Sequence, residues 1–168
     1  DIDIDIKLRE AIQTGILRPY AEPVHLTQCI QFIFGRYIAF RGSKEHHELK
    51  HDHVCRGIYG PKDGEDLEGL SFYAIKVDED KMNQLGFETP NCAPDSTHLL
   101  SFCENPKDEV FDPVAIVDFY INKCHDDAAF FYARAGTEKQ RKRWSKECGR
   151  EIWYGPAVPS SSGFKLSQ

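Results

Sequence analysis

The chain has 168 residues, of which 40% are hydrophobic and 12% aromatic, and its formal net charge is −6. This length is sufficient for one domain with a sizeable core and too short for two ordinary ones. The sequence contains no run of eighteen apolar residues, so we expect no membrane-spanning helix. A net negative charge is unfavourable for binding nucleic acid. The charge is uneven, however: residues 134–150 carry +5 and the remainder −11.

Six cysteines occur at widely and irregularly spaced positions, and no CxxC motif is present. In a chain long enough to form a core, this pattern favours reduced thiols in an intracellular protein over a disulfide framework. The opening DIDIDI has neither a basic flank nor a cleavage signal, so secretion has no support.

The first part of the chain predicts helices. A short helix should end at Gly15, and a long one should cover residues 24–40, followed by a further helical turn or two over residues 45–51. Apolar side chains recur in the long helix at mostly three- and four-residue spacings, which predicts one buried face. They are Val24, Leu26, Ile30, Ile33, Phe34, Tyr37, Ile38 and Phe40.

The middle of the chain predicts a small sheet. Residues 57–61 are typical of a turn, and the acidic stretch that follows, up to Gly69, of a loop. Residues 70–77 are apolar at both alternating sets of positions, which predicts a buried strand. Residues 78–86 resemble a hairpin, and residues 98–102 could form the returning strand.

The last part predicts a helix that begins at Pro113 with Asp112 as its cap, because proline is favoured at the first helical position and aspartate before it. Its apolar face comprises Val114, Val117, Tyr120 and Ile121. Residues 129–132 predict a short buried strand or helical turn, and residues 160–168 a loosely held tail. We therefore expect an α+β fold, mostly helical with a small antiparallel sheet.

Arg41 follows the long apolar helix at once and precedes a charged, histidine-rich segment. An unpaired charge beside apolar packing is costly, so this arginine needs a partner. One interpretation is an arginine at the edge of the core, paired with Glu45 or Glu48. The other is an arginine held rigidly to bind a phosphate, which a forked guanidinium fits.

The segment around Arg41 has a recognisable pattern. It reads AFRGSKEHHELKH and resembles the pattern GLRGxxEHRxLxW of the tyrosine recombinase-like domain found in Crypton elements and in proteins domesticated from these transposons, including the zinc-finger MYM-type group. The residues in register are Arg41, Gly42, Glu45, His46 and Leu49.

Three further blocks resemble the same family in the same order. The family's strand-borne SKTNQGG is matched by DKMNQLG at residues 80–86, and its DPVxxYxxYLSKxP…FYLQP by residues 112–124 and 130–135. A last pattern, CWYxxxPLGxNxL, is matched more weakly at residues 152–154 and 163–166. The resemblance covers most of residues 17–166 and implies that residues 1–168 form a single partial domain, the first half of a tyrosine recombinase catalytic domain.

The resemblance implies DNA recombination and integration by strand cleavage and exchange. In that chemistry a tyrosine attacks the scissile phosphate, two arginines and a histidine stabilise charge, and a lysine on a hairpin protonates the leaving oxygen. Arg41 matches the first arginine and Lys81 the hairpin lysine. Glu45 matches a carboxylate that orients Arg41 or its helix.

Other parts of the family pattern do not occur in this sequence. The second arginine and the histidine come from a motif resembling TNHSLRxT beyond the WY segment, and the nucleophilic tyrosine lies farther on. The one HxxR, His53 to Arg56, precedes the hairpin, and Tyr132 and Tyr154 lie upstream of the nucleophile's position. We expect no DNA cleavage from the sequence as it stands. With these groups downstream it would be a strand-exchange recombinase.

A basic run predicts contact with duplex DNA, with a nuclear-import signal or a merely solvated helix or loop face as alternatives. The candidate DNA-binding residues are Lys139, Arg141, Lys142, Arg143, Lys146 and Arg150. Trp144 within the run could instead cover the core. Binding should be weak and salt-sensitive, because the rest of the chain is acidic.

A cluster of histidines raises the question of a metal. His47 and His51 have the i, i+4 spacing that could hold one zinc ion from one helix face. The matched family pattern has a histidine at position 46 with no metal implied, and the other histidines are typical of a solvent-facing helix end. We therefore expect no metal site and no cofactor.

Two functional hypotheses follow. The first is a catalytically incomplete recombinase-like domain that binds DNA. The second is a protein-interaction module of a domesticated nuclear or chromatin protein, in which the phosphate pocket is vestigial. Both place the chain inside the cell, in the nucleus, and away from membranes.

Overall fold

A computed structural model describes residues 2–38, 43–77 and 98–156. Within these ranges the chain forms helices and a three-stranded antiparallel sheet, which confirms the predicted α+β class. The helices are α1 (Ile2–Gln13), α2 (Pro23–Tyr37), α3 (Ser43–Glu48), α4 (Pro113–Asn122) and α5 (Glu138–Cys148). The strands are β1 (Val54–Ile58), β2 (Ser71–Val77) and β3 (His98–Cys103).

Helix α2 supplies a long apolar face to the core. Pro23 begins it, and its buried residues are Leu26, Cys29, Ile30, Ile33 and Phe34. Val24 and Tyr37 were expected on this face but are 62% and 42% exposed, so that prediction was wrong for both. At about 100° per residue, Val24 lies on the opposite side of the helix from this face. Tyr37 lies in the last turn, where its ring still contacts Phe102 at 5.8 Å between centroids.

Strand β2 is the central strand of the sheet, as its apolar character on both faces predicts. It pairs antiparallel with β1 on one side and β3 on the other. Tyr73, Ala74 and Ile75 are consecutive and all buried, so both faces of the strand are covered. The returning strand predicted at residues 98–102 is confirmed as β3.

Strand β1 corrects the predicted turn at residues 57–61. Gly57 and Ile58 belong to the strand, and the chain leaves it only at Tyr59. Gly57 pairs with Phe72 of β2, whose ring covers it so closely that a Cβ at position 57 would lie 2.5 Å from the ring. The glycine that suggested a turn accommodates a cross-strand aromatic ring.

Helix α4 begins as predicted. The Asp112 carboxylate accepts hydrogen bonds from the backbone N–H groups of Val114, at 3.0 Å, and Ala115. The helix packs against α2 and the sheet. Its Tyr120 is fully buried and donates its hydroxyl to the carbonyl of Phe131 at 2.7 Å, which holds Phe131 against the helix.

An extended segment after α5 joins the end of α4 to the rest of the fold. The backbone N–H groups of Trp153 and Tyr154 both donate to the carbonyl of Lys123, at 2.9 and 3.1 Å. In return, His125 donates to the carbonyl of Tyr154 at 3.0 Å, and Gly136 donates to that of Trp153 at 2.9 Å. The WY segment is therefore an internal part of the fold.

Trp144 anchors α5 to this segment. Trp144 is 8% exposed, and its indole lies against both Gly136 and Gly155. A Cβ at position 136 would lie 2.2 Å from the ring, and one at position 155 would lie 2.3 Å from it. Both positions therefore require glycine for steric reasons, since any side chain would displace the indole.

Several sequence predictions fall outside the described residues: the hairpin at 78–86, the segment 39–42 and the tail at 160–168. Five of the six cysteines are described, and all five are free thiols. Among the described helices, none combines the length and apolar character needed to cross a bilayer.

We expect Gly136→Ala to lower the free energy of unfolding by about 1–3 kcal/mol, because the added methyl group overpacks the indole of Trp144. Urea denaturation measures the change. Gly60→Ala is the matched control: its φ is −92° and the nearest atom to an added Cβ is 3.9 Å away. Equal stability of the two variants would contradict the proposed packing of Trp144.

Candidate nucleic-acid interface

Helix α5 is defined by capping interactions at both ends. The Thr137 hydroxyl accepts from the backbone N–H of Gln140, and the Gln140 side chain accepts from the backbone N–H of Thr137 at 2.9 Å. Gly149 ends the helix with φ of 69°, in the left-handed region that favours glycine. These local signals stabilise a helix whose sequence is almost entirely polar.

Four basic side chains form a single exposed row on α5, which we name the basic stripe: Lys139, Lys142, Arg143 and Lys146. Their i, i+3, i+4, i+7 spacing places them on one face of the helix, opposite the buried Trp144. All four are exposed, with Lys142 at 77% and Arg143 at 66% of the side chain. The stripe therefore projects into solvent from a helix whose other face is fixed.

Two carboxylates on α5 partly neutralise the stripe. Glu138 pairs with Lys142 at 3.2 Å, and Glu147 with Arg143 at 3.8 Å, both one helical turn apart. Lys139 and Lys146 form no ion pair with any residue that the structure describes. Such exposed pairs are individually weak, so a phosphate could displace Glu138 from Lys142.

Arg150 was expected among the DNA-binding residues, but its guanidinium is engaged inside the fold. Its Nε donates to the carbonyl of Asn122 at 2.9 Å and its Nη2 to that of Cys124 at 2.7 Å, while Nη1 pairs with Asp126 at 2.6 Å. These contacts satisfy carbonyls at the end of α4. Arg150 is thus a structural link between α4 and the segment after α5.

Arg141 also departs from the stripe. It lies on the side of α5 that carries Trp144, and its backbone carbonyl accepts the hydroxyl of Ser145 at 2.6 Å. Its Nε is buried without a hydrogen-bond partner among the described residues. Of the six predicted DNA-binding residues, the structure brings four together on one exposed face.

The three site residues matched to the recombinase pattern lie at or beyond the edge of the described chain. Arg41 and Lys81 are outside it, and Glu45 is described only as part of the backbone of α3. In the residue that follows Glu45 in the sequence, the Nδ1 of His46 lies 2.8 Å from the hydroxyl of Tyr132. Their roles remain predictions from the sequence.

The histidine pair considered for zinc does not share one helix face. Helix α3 ends at Glu48, and His51 lies in a separate 3-10 turn, so the i, i+4 geometry is lost. His47 stacks on Phe130, while His51 packs on Phe131 and burial lowers its pKa. His51 is therefore not at a solvent-facing helix end. Across the described ranges, no group of three or more metal-ligating side chains converges.

The two tyrosines upstream of the expected nucleophile are buried. The Tyr154 hydroxyl donates to the carbonyl of Pro23 at 2.6 Å and accepts from Thr27 at 3.1 Å. Burial raises the pKa of Tyr154 and of Tyr132, which disfavours the phenolate of each. In both, the hydroxyl has a structural partner.

Arg56 of the misplaced HxxR forms part of a cluster that sequence reasoning missed. Its Nε and Nη2 donate to the two carboxylate oxygens of Asp118, at 2.9 and 3.1 Å, and the hydroxyl of Tyr73 donates to the same carboxylate. Burial is the main cause that raises the pKa of Tyr73, and the hydrogen bond to Asp118 raises it further. The cluster joins β1 and β2 to α4, and no local spacing signals it.

Searches against protein-family models, curated proteins and solved structures find no match to this chain.

We expect Arg150→Lys to lower the free energy of unfolding by about 1–3 kcal/mol, because lysine keeps the charge but cannot reach three separated acceptors. The midpoint of urea denaturation measures this loss. Lys142→Gln serves as the control and should cost less than about 0.5 kcal/mol, since it removes only an exposed helical ion pair. Wild-type stability of the Arg150→Lys variant would refute the structural role.

Proposed function

We propose that this chain is a catalytically incomplete domain of the Crypton tyrosine recombinase type that binds duplex DNA through the basic stripe of α5. The observation that carries the proposal is the placement of Lys139, Lys142, Arg143 and Lys146 on one exposed face of a capped helix. The resemblance of four sequence blocks to that family supports the class of protein.

The stripe suits a phosphate backbone for two physical reasons. Its first and last members are seven positions apart in the helix, so its charges span about 10 Å along the axis. The helix is already ordered by its caps, so binding does not require folding of the backbone. Four phosphate contacts from the stripe alone would contribute a slope of about −3.6 to the fall of log affinity with log salt.

The proposal assigns Arg41 and Lys81 as remnants of a phosphate-binding pocket, with Glu45 orienting Arg41. It assigns no DNA cleavage to Tyr132 or Tyr154. The buried, hydrogen-bonded hydroxyls of Tyr132 and Tyr154 agree with this, since an attacking phenol must reach solvent and the scissile phosphate. The same basic run suits nuclear import, so we place the protein in the nucleus.

A second candidate function is protein interaction within a nuclear or chromatin protein. Three apolar side chains at the junction of α1 and α2 favour it, because Ile16, Tyr20 and Val24 are exposed by 74%, 50% and 62%. The charge of −11 outside residues 134–150 favours it too, since it opposes approach to DNA. This function predicts no binding to duplex DNA at any salt concentration.

Removing the three lysines of the stripe should weaken DNA binding. We expect the triple variant Lys139→Gln, Lys142→Gln, Lys146→Gln to lower affinity for a short mixed-sequence duplex at least tenfold at low salt. Its salt slope should be less steep by about 2.7, at roughly 0.9 per lost phosphate contact. Fluorescence anisotropy of labelled duplex measures both.

The matched control replaces three exposed lysines elsewhere, Lys7→Gln, Lys62→Gln and Lys107→Gln, with the same change in net charge. It should lower affinity by less than about threefold and leave the slope close to that of the wild type. An equal loss in both triple variants would assign binding to net charge and refute the stripe.

The remnant pocket makes a separate prediction. Arg41→Ala should lower duplex affinity by about three- to tenfold, because a guanidinium bound to phosphate is lost. Arg36→Ala is the control, since Arg36 is exposed near the end of α2 and pairs with Asp5 at 3.5 Å. If both variants bind as the wild type does while the stripe variant fails, the pocket is vestigial and the stripe alone binds DNA.

A further inference from the structure

Glu147 differs from an ordinary surface carboxylate because it is held from two sides. Its Oε1 lies 3.8 Å from the Nε of Arg143, and its Oε2 lies 3.0 Å from the Nε2 of His125. The imidazole of His125 is buried, and its Nδ1 accepts from the backbone N–H of Asp127 at 3.1 Å. The Nε2 of a neutral ring must then carry the proton and donate it to Glu147.

The second carboxylate of the helix provides a natural comparison. Glu138 is 79% exposed, and within the described chain its ion pair is the one with Lys142. It can rotate into solvent at little cost when a phosphate approaches Lys142. Glu147 cannot rotate away at such low cost, because the buried N–H donor of His125 would then have no hydrogen-bond partner.

We propose that Glu147 is a fixed counter-charge that competes with phosphate for Arg143 and thereby limits the affinity of the basic stripe. This inference rests on the proposed DNA binding. A phosphate that reached Arg143 would bring its negative charge close to the carboxylate that His125 keeps in place. Repulsion between two like charges about 4 Å apart is significant even in water.

The inference has a consequence for the kind of contact that the stripe makes. With Arg143 held by Glu147, the effective contacts are the three lysines, which act as point charges. Arginine is the side chain that pairs bidentately with guanine in the major groove, whereas phosphate contacts carry no sequence information. The wild-type stripe should therefore bind duplexes of different sequence with similar affinity.

The test removes the charge of Glu147 and keeps its shape. Glu147→Gln retains a carbonyl oxygen that can accept from His125. We expect it to raise duplex affinity about fivefold at low salt and to steepen the salt slope by about 0.9, the value for one added phosphate contact. Glu138→Gln, which makes the same change in net charge, should raise affinity by less than about twofold.

Repeating the comparison in a variant without Arg143 shows whether the gain in duplex affinity depends on that arginine. In an Arg143→Gln variant, the further change Glu147→Gln should give no more gain than Glu138→Gln does. Equal gains from the two glutamine variants, or a fivefold gain that persists without Arg143, would overturn the inference and leave the proposed function intact. Failure of the wild type and every variant to bind duplex at low salt would overturn the proposed function and this inference together.

Discussion

The folded chain depends on the extended segment of residues 150–154, which hydrogen-bonds to three helices. Arg150 donates to two backbone carbonyls at the end of α4, and the Tyr154 hydroxyl donates to the carbonyl of Pro23 at the start of α2. The backbone N–H of Ile152 donates to the Ser145 hydroxyl of α5. Because α5 is polar on most of its surface, these contacts and its single tryptophan determine which face it turns outwards.

Much of the fold is readable from local signals. Asp112 before Pro113 fixes the start of α4, and the apolar run before Val77 identifies the central strand. Strand β1 was missed because Gly57 is a turn signal in isolation, and only the ring of Phe72 across the sheet explains it there. A residue that is required by a neighbour distant in sequence produces no recognisable spacing in its own segment.

In the candidate site, too, some features could be predicted from the sequence and others only from the structure. The composition of residues 134–150 predicts a basic segment, and the structure adds which charges share a face. The sequence could not show that Arg150 lies outside the stripe, because its partners are backbone carbonyls at and just after the end of α4, and every residue type has one. Arg41 and Lys81 stay predictions from a family pattern. What the fold contributes is a positive row on an otherwise negative body, a charge asymmetry that would orient the protein towards a polyanion during approach.

The two tryptophans of the chain, Trp144 and Trp153, both lie in the layer formed by α5 and residues 150–154. Trp153 packs edge-to-face on Phe119, with the ammonium of Lys123 5.3 Å from its ring. Intrinsic tryptophan fluorescence therefore reports first on this layer and on its contact with α4 through Phe119. A fluorescence unfolding curve would coincide with one from circular dichroism only if the layer separates together with the rest of the fold. A gap between the two curves would mark the layer as a unit that opens by itself.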